Sequence, residues 1–229
     1  MVASSVSRRA FAATFFVAPL LHHSLRSSSW EGTRLPVLSL EEARGLGREA
    51  LLPFARYPDP VLRLAAKPVS DFAGVDRVAA KLLEVRRREG ALGLAATQCG
   101  VDAQIVVLGD DVLVNPKVTK VNAVDAWRER CLALPPDVEV DTLRFRSIDV
   151  AAADPRGAPI TRTFTGSRAR AFQHELDHSK GILIIDHALD PVASRAFPDM
   201  ARVEAPLHSQ RRLKAWRFIE GEVSFFDNS

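Results

Sequence analysis

Two histidines and a glutamate within residues 173–178 (QHELDH) have the types and spacing of a metal-dependent hydrolase. His174 and His178 stand four residues apart, so on an α-helix they lie on one face about one turn apart and can bind one metal ion. Glu175 lies between them and is placed to act on a water molecule rather than on the metal. Two histidines leave such a site incomplete, so a third ligand must come from elsewhere in the chain.

Several residues could supply the third ligand, and the H-E-x-x-H segment alone does not choose among them. The candidates are Cys99, Cys131, Asp186, Glu204, His187 and His208. A downstream glutamate or histidine would give a zincin-like metallopeptidase, for which Glu204 is the candidate. An upstream cysteine would give a site of one sulfur and two imidazoles, with the fourth position left to water.

The metal-binding segment is predicted to lie on a buried helix. Thr165 or Ser167 is expected to cap its start, and Gly181 is expected to end it. Its apolar stripe consists of Ala169, Phe172 and Leu176. Because this stripe lies roughly opposite the histidines on a helix, the helix is expected to pack between layers of the fold.

Segments rich in β-branched residues predict several antiparallel strands before this helix. Strands are predicted at residues 105–108, 112–114, 118–124, 138–140, 144–151 and 160–164. Residues 109–111 and 154–157 are predicted turns, and Asn115-Pro116 is expected to end the second strand. These elements predict an α+β fold, in which antiparallel or mixed β-sheets pack around a central buried helix that carries H-E-x-x-H.

Further helices are predicted outside this set. An amphipathic helix should begin at Ser70 or Asp71 and run to about Arg88, with Gly90 ending it. Residues 40–51 and 207–220 are candidates for two shorter helices.

The length and composition predict one domain with extensions. Of the 229 residues, 47% are hydrophobic, which is enough to form a core. The predicted divisions are a targeting leader at 1–30, an uncertain linker or helix at 31–52, a catalytic domain at 53–190 and a C-terminal extension at 191–229. The net charge of +3 is too small to predict nucleic-acid binding. Two cysteines do not form a disulfide framework, which favours a reduced compartment.

Residues 1–30 are typical of an organelle transit peptide. They are rich in serine, contain Arg8 and Arg9, and hold no acidic residue before Glu31. Their apolar run at 10–21 is shorter than the roughly 20 residues that a membrane span needs, and no direct membrane binding is expected. A twin-arginine export signal and an ordinary extension are the alternatives.

Three motifs in register resemble the peptide deformylases. Residues 91–98 (ALGLAATQ), 129–133 (ERCLA) and 174–178 (HELDH) match the family patterns G-x-G-L-A-A-x-Q, E-G-C-L-S and H-E-x-D-H in the same order. Shorter matches lie at 57–63, 114–116 and 181–186. The resemblance covers about residues 54–190.

The resemblance implies a metal site and a reaction. Cys131, His174 and His178 would bind one divalent ion, with Fe²⁺ expected as the native ion and Zn²⁺, Ni²⁺ or Co²⁺ able to replace it. The reaction would be removal of the formyl group from the initiator methionine of new polypeptides by a metal-activated water. Glu175 would act as general acid and base.

The resemblance also implies the residues that meet the substrate. The side-chain amide of Gln98 and the backbone N–H of Leu132 would stabilise negative charge on the formyl oxygen. Gly93 and Leu94 would shape a groove in which the nascent peptide lies as an extra strand.

Three positions depart from the family motifs. Ala91 replaces a glycine, and would be strained if that position required a positive φ. Arg130 replaces the glycine before Cys131, where it is expected to narrow the groove or contact the peptide. Ala133 replaces a serine. An active enzyme with altered preference is expected; a catalytically weak relative or a non-catalytic binder of nascent chains is the alternative.

The implied partner is the N-formylmethionyl end of a nascent peptide, with the ribosome as a further candidate. Together with the leader, this implies an organelle that uses formylated initiation, and the arginine pair slightly favours a plastid over a mitochondrion. The sequence does not define an oligomeric state.

Overall fold

The structure is a computed structural model that describes residues 34–187. In chain order the helices and strands are β1 (Leu38–Ser39), α1 (Leu40–Gly45), α2 (Val75–Arg88), β2 (Gly93–Ala95), β3 (Val101–Asp102), β4 (Ile105–Leu108), β5 (Asp111–Arg130), β6 (Glu139–Ala153), β7 (Pro159–Thr165) and α3 (Gly166–His178). The predicted leader, the predicted C-terminal extension with its helix, Glu204 and His208 lie outside the described residues. None of the helices within residues 34–187 is long and apolar enough to cross a membrane.

The largest element is a five-stranded sheet in the order β2-β4-β5-β6-β7, with every neighbouring pair antiparallel. A separate two-stranded parallel sheet joins β1 to β3. The α+β class predicted from the sequence is confirmed. The predicted hairpin between β4 and β5 and the predicted turn before β7 are also confirmed.

The prediction that Asn115-Pro116 ends a strand is wrong, because β5 continues to Arg130. The chain passes through a bulge between Val114 and Lys117, where Asn115 adopts a φ of 51°. The Asn115 side chain fixes this bulge by accepting from the Val69 N–H at 2.7 Å and donating to the Val69 carbonyl at 2.8 Å. A bulge therefore re-aims the strand here instead of ending it.

The strands predicted at 138–140 and 144–151 are one strand, β6, and the strand predicted at 118–124 is part of β5, which also includes Trp127. Ion pairs tie the outer part of this hairpin together across the strands. Arg128 pairs with Asp141 at 2.9 Å, and Asp125 pairs with Arg146 at 2.7 Å. Opposite charges at neighbouring cross-strand positions favour this extended register.

Helix α3 packs against the sheet through its predicted apolar stripe. Ala169, Phe172 and Leu176 are buried, and the Phe172 ring stacks on Phe164 of β7 with centroids 5.3 Å apart. Thr165 occupies the N-cap position, and Gly181 follows the helix with a φ of 69°. The opposite face of α3 is therefore directed towards the end of β5, where Cys131 lies.

The helices predicted from Ser70 or Asp71 to Arg88 and at residues 40–51 are shorter than expected. Helix α2 begins at Val75 rather than at Ser70 or Asp71, since Gly74 in a left-handed conformation precedes it. Helix α1 ends at Gly45, and a capping box between Ser39 and Glu42 fixes its start.

Candidate metal centre

Three donor atoms from two distant parts of the chain meet at one point. Cys131, His174 and His178 each offer one ligand atom, and these atoms all lie within 4.8 Å of one another. The Cys131 Sγ is 3.2 Å from His178 Nε2. Cys131 follows the end of β5, and both histidines lie on α3. The hairpin formed by β5 and β6 therefore brings the sulfur to the helix.

Glu129 orients one of the two imidazoles. Its Oε2 lies 3.2 Å from Nδ1 of His174, which leaves the other ring nitrogen for the metal position. Glu129 is itself held by the guanidinium of Arg144, at 2.8 and 3.0 Å. The sequence motif contained Glu129 but gave no sign of this contact.

The ion-pair network continues through the layer beneath the site. Arg144 also pairs with Asp177 at 2.5 Å, and the Asp177 carboxylate accepts a hydrogen bond from His187 Nε2 at 2.8 Å. The Arg144 side chain is 5% exposed, and so is its partner Glu129. Asp177 and His187 therefore help to hold helix α3 in place through Arg144. Their residue types alone did not reveal this role.

The electrostatics of the cluster favour a thiolate. Burial alone would raise the pKa of Cys131, but His178 and His174 outweigh burial and hold the pKa well below its usual value. Burial likewise opposes the charged form of His174, yet Cys131 and Glu129 raise its pKa well above the usual range. A thiolate beside two imidazoles is a donor set suited to a divalent transition metal.

Glu175 is buried beside this cluster. Its Oε2 has no hydrogen-bond partner within the described part of the chain. Burial raises the pKa of Glu175, while His174 and His178 lower it in part. A buried carboxylate oxygen without a protein partner is available to water or to a ligand.

Gly93 makes room for Glu175. A Cβ at Gly93 would lie only 2.6 Å from the Glu175 Cγ, closer than such atoms approach in proteins. The absence of a side chain at position 93 therefore sets the place of the glutamate.

Gln98 is also fixed: its oxygen is occupied, and its amide nitrogen donates to no group among residues 34–187. Its Oε1 accepts from the Ala95 N–H at 2.8 Å. The side-chain NH₂ is thereby turned away from this contact and is available as a donor.

A cavity of about 350 Å³ joins these groups. Among its lining residues are Gly93, Gln98, Arg130, Leu132, His174 and Glu175. Leu94, predicted to shape the groove, is instead fully buried in the core beneath it and does not line the cavity. Cys99 also belongs to the core, where burial raises its pKa to about 12.

The structure accommodates all three residues that depart from the family motifs. Ala91 is not among the residues with positive φ, whereas the preceding Gly90 has a φ of 66°, so the alanine is not strained there. Arg130 is exposed and pairs with Glu139 across the hairpin. Ala133 is 1% exposed in an apolar cluster, where a hydroxyl would need a partner.

The fold and this cluster define a metal-dependent hydrolase. The polypeptide deformylase family profile matches residues 51–193, more than half of the chain, and the chain belongs to the peptide deformylase family.

Two named relatives and one solved structure support membership of this family. A peptide deformylase of Desulforudis audaxviator is 34% identical over 61% of this chain and 94% of its own length. "Peptide deformylase 1B, chloroplastic" of Oryza sativa is 31% identical over 81% of both chains. The crystal structure of the Thermus thermophilus peptide deformylase is similar with a TM-score of 0.60 and 31% identity, over 72% of this chain and all of that one.

Proposed function

We propose that this protein removes the formyl group from the N-terminal methionine of newly made polypeptides. The observation that best supports this proposal is the convergence of Cys131, His174 and His178 beside a cavity that Glu175 and Gln98 line. Family membership supports the same reaction.

Cys131, His174 and His178 would hold the metal, and we propose Fe²⁺ as the native ion, with Zn²⁺, Ni²⁺ or Co²⁺ able to replace it. When bound, such an ion supplies Lewis acidity, which lowers the pKa of a water ligand and polarises a carbonyl group. Glu129 fixes the imidazole of His174 for this purpose.

Glu175 moves the proton. Its partnerless carboxylate oxygen would accept a proton from the attacking water and return it to the amine that leaves the formyl carbon. Burial, which raises the pKa of Glu175, makes the carboxylate a stronger base than a solvent-exposed glutamate.

Two donors would stabilise the charge that develops on the formyl oxygen. Gln98 offers its side-chain NH₂, because Ala95 already occupies its Oε1. The backbone N–H of Leu132, directly after the metal-ligating cysteine, is the second proposed donor. Removal of one such donor typically lowers the rate by about 10²–10³-fold.

The free edge of β2 would receive the peptide. Gly93 lies in this edge strand, which, in the part of the chain that the structure describes, pairs with β4 on one side only. Leu94 would contribute through its backbone, since its side chain is in the core. Arg130 stands exposed at the rim and would contact the peptide beyond the methionine.

We propose that residues 53–190 form the catalytic domain, behind a leader at 1–30 and a join at 31–52, and ahead of an extension at 191–229. An organelle is the proposed location, with a plastid slightly favoured over a mitochondrion, because the leader is typical of a transit peptide and the rice relative is named as chloroplastic. The ribosome is a proposed further partner.

The Cys131→Ser variant tests the assignment of the third ligand. A large loss of bound metal and of formyl release would support the proposal. If the variant kept its metal and activity, a ligand such as Glu204, as in a zincin-like peptidase, would replace Cys131 and the proposed site would be wrong.

A further inference from the structure

Three arginines line the cavity, and two of them are neutralised. Arg128 pairs with Asp141 at 2.9 Å, and Arg130 pairs with Glu139. Arg170 has no carboxylate partner among residues 34–187. It lies instead over the ring of Trp127, with its Cζ 3.2 Å from the ring centroid.

Arg170 faces the same side as the metal ligands. It lies on α3 four residues before His174, one turn away on the same face. Ser167 and Ala171 line the same cavity.

The stacking on Trp127 leaves the guanidinium edge free. A guanidinium has five N–H donors in its plane, so a ring against one face does not block the hydrogen-bonding edge. Partial burial lowers the pKa of Arg170, with Glu129 opposing and Arg144 reinforcing this effect. Glu129 is already engaged by Arg144 and His174, so it does not pair with Arg170. An incoming anion would therefore meet the positive charge of the Arg170 guanidinium.

We propose that Arg170 is a specificity-determining residue that binds a substrate carboxylate, so that formyl peptides with an acidic residue close behind the methionine are preferred. This inference rests on the proposed deformylase function. The carboxylate would receive N–H donors from the edge of the guanidinium while Trp127 holds the cation in place.

The test compares the C-terminally amidated peptides formyl-Met-Glu-Ser-NH₂ and formyl-Met-Ala-Ser-NH₂, which differ only in the side-chain carboxylate, on the full chain at low ionic strength. We expect kcat/KM to be about two- to fivefold higher for the glutamate peptide, as a partly exposed ion pair would give. The ratio should fall towards one in Arg170→Gln and as salt rises, because salt screens a partly exposed pair.

Arg128→Gln is the matched control, since it removes a cavity arginine that Asp141 already neutralises. It should keep the preference. Thermal unfolding and metal content of Arg170→Gln show whether that variant is folded, and the salt dependence of the unaltered protein tests the proposal independently.

The possible results distinguish a failure of the proposed function from a failure of the proposed role of Arg170. No release of formate from either peptide would reject the proposed function itself. Turnover of both peptides at equal kcat/KM, or a preference that survives in Arg170→Gln, would overturn the role of Arg170. Loss of the preference in Arg128→Gln to the same extent would also overturn it, because the general charge of the cavity would then be responsible.

Discussion

The Oε2 atom of Glu129 lies 3.2 Å from Nδ1 of His174, and Arg144 holds the same carboxylate from the other side. One carboxylate thus links an imidazole of the proposed metal site to a buried cation. The position of the imidazole therefore depends on a residue two positions before the third ligand, on a different element of the fold.

Replacing Glu129 by Gln should weaken metal binding by about 10–100-fold, because the His174 ring loses a charged partner that fixes its orientation. Competition with a chelator of known affinity measures the change. Asp125→Asn, which removes a carboxylate paired with the exposed Arg146, is the control and should bind metal normally. Unchanged affinity in Glu129→Gln would show that His174 is positioned without it.

Arg144→Met should reduce the free energy of unfolding by about 3–5 kcal/mol, because Glu129 and Asp177 would remain buried without their shared cation. Urea unfolding measures this loss. Arg146→Met removes an exposed ion pair and should cost no more than about 1 kcal/mol. Similar losses in both variants would contradict a special role for the buried network.

Gly93→Ala should lower kcat by about 10–100-fold while metal content stays normal, since the new Cβ would displace Glu175. Steady-state kinetics and metal analysis of the same sample separate the two effects. Gly45→Ala adds the same atom where nothing lies within 4 Å, and should leave kcat unchanged. Full activity in Gly93→Ala would mean that Glu175 moves without consequence.

Cys99 should stay unreactive in the folded protein. Burial raises its pKa from 9.0 to about 12, so the thiol is protonated at ordinary pH. The resulting stability is fully present below pH 9 and falls as the pH rises towards 12, because only the unfolded state then loses the proton. In Cys131→Ser, iodoacetamide at pH 8 should label Cys99 only after denaturant is added; rapid labelling without denaturant would contradict its burial.

Local patterns predicted the parts of the site that a single element defines. The spacing of His174 and His178 follows from helix geometry, and the apolar stripe of α3 follows from the same period. The order of three motifs predicts Cys131 as the third ligand. No local pattern links it to His178, because 47 positions separate the two residues.

The contacts that depend on strand register could not be predicted in this way. The sequence predicts that Asn115 ends a strand, whereas its side chain anchors a bulge that lets β5 continue. Without the full length of β5 and β6, the pairing of Glu129 with Arg144 is not visible. The contact between Arg170 and Trp127 likewise joins a helix to a strand and has no local signature.

The proposed activity is release of formate from formyl-methionyl peptides through the site at Cys131, His174 and His178. The most direct measurement is formate release from formyl-Met-Ala-Ser by protein purified anaerobically with Fe²⁺, alongside Glu175→Gln with equal bound metal. We expect turnover that a chelator abolishes and that Glu175→Gln reduces by at least about 10²-fold. No turnover by the unaltered protein with its metal confirmed would show that this chain is not an active deformylase.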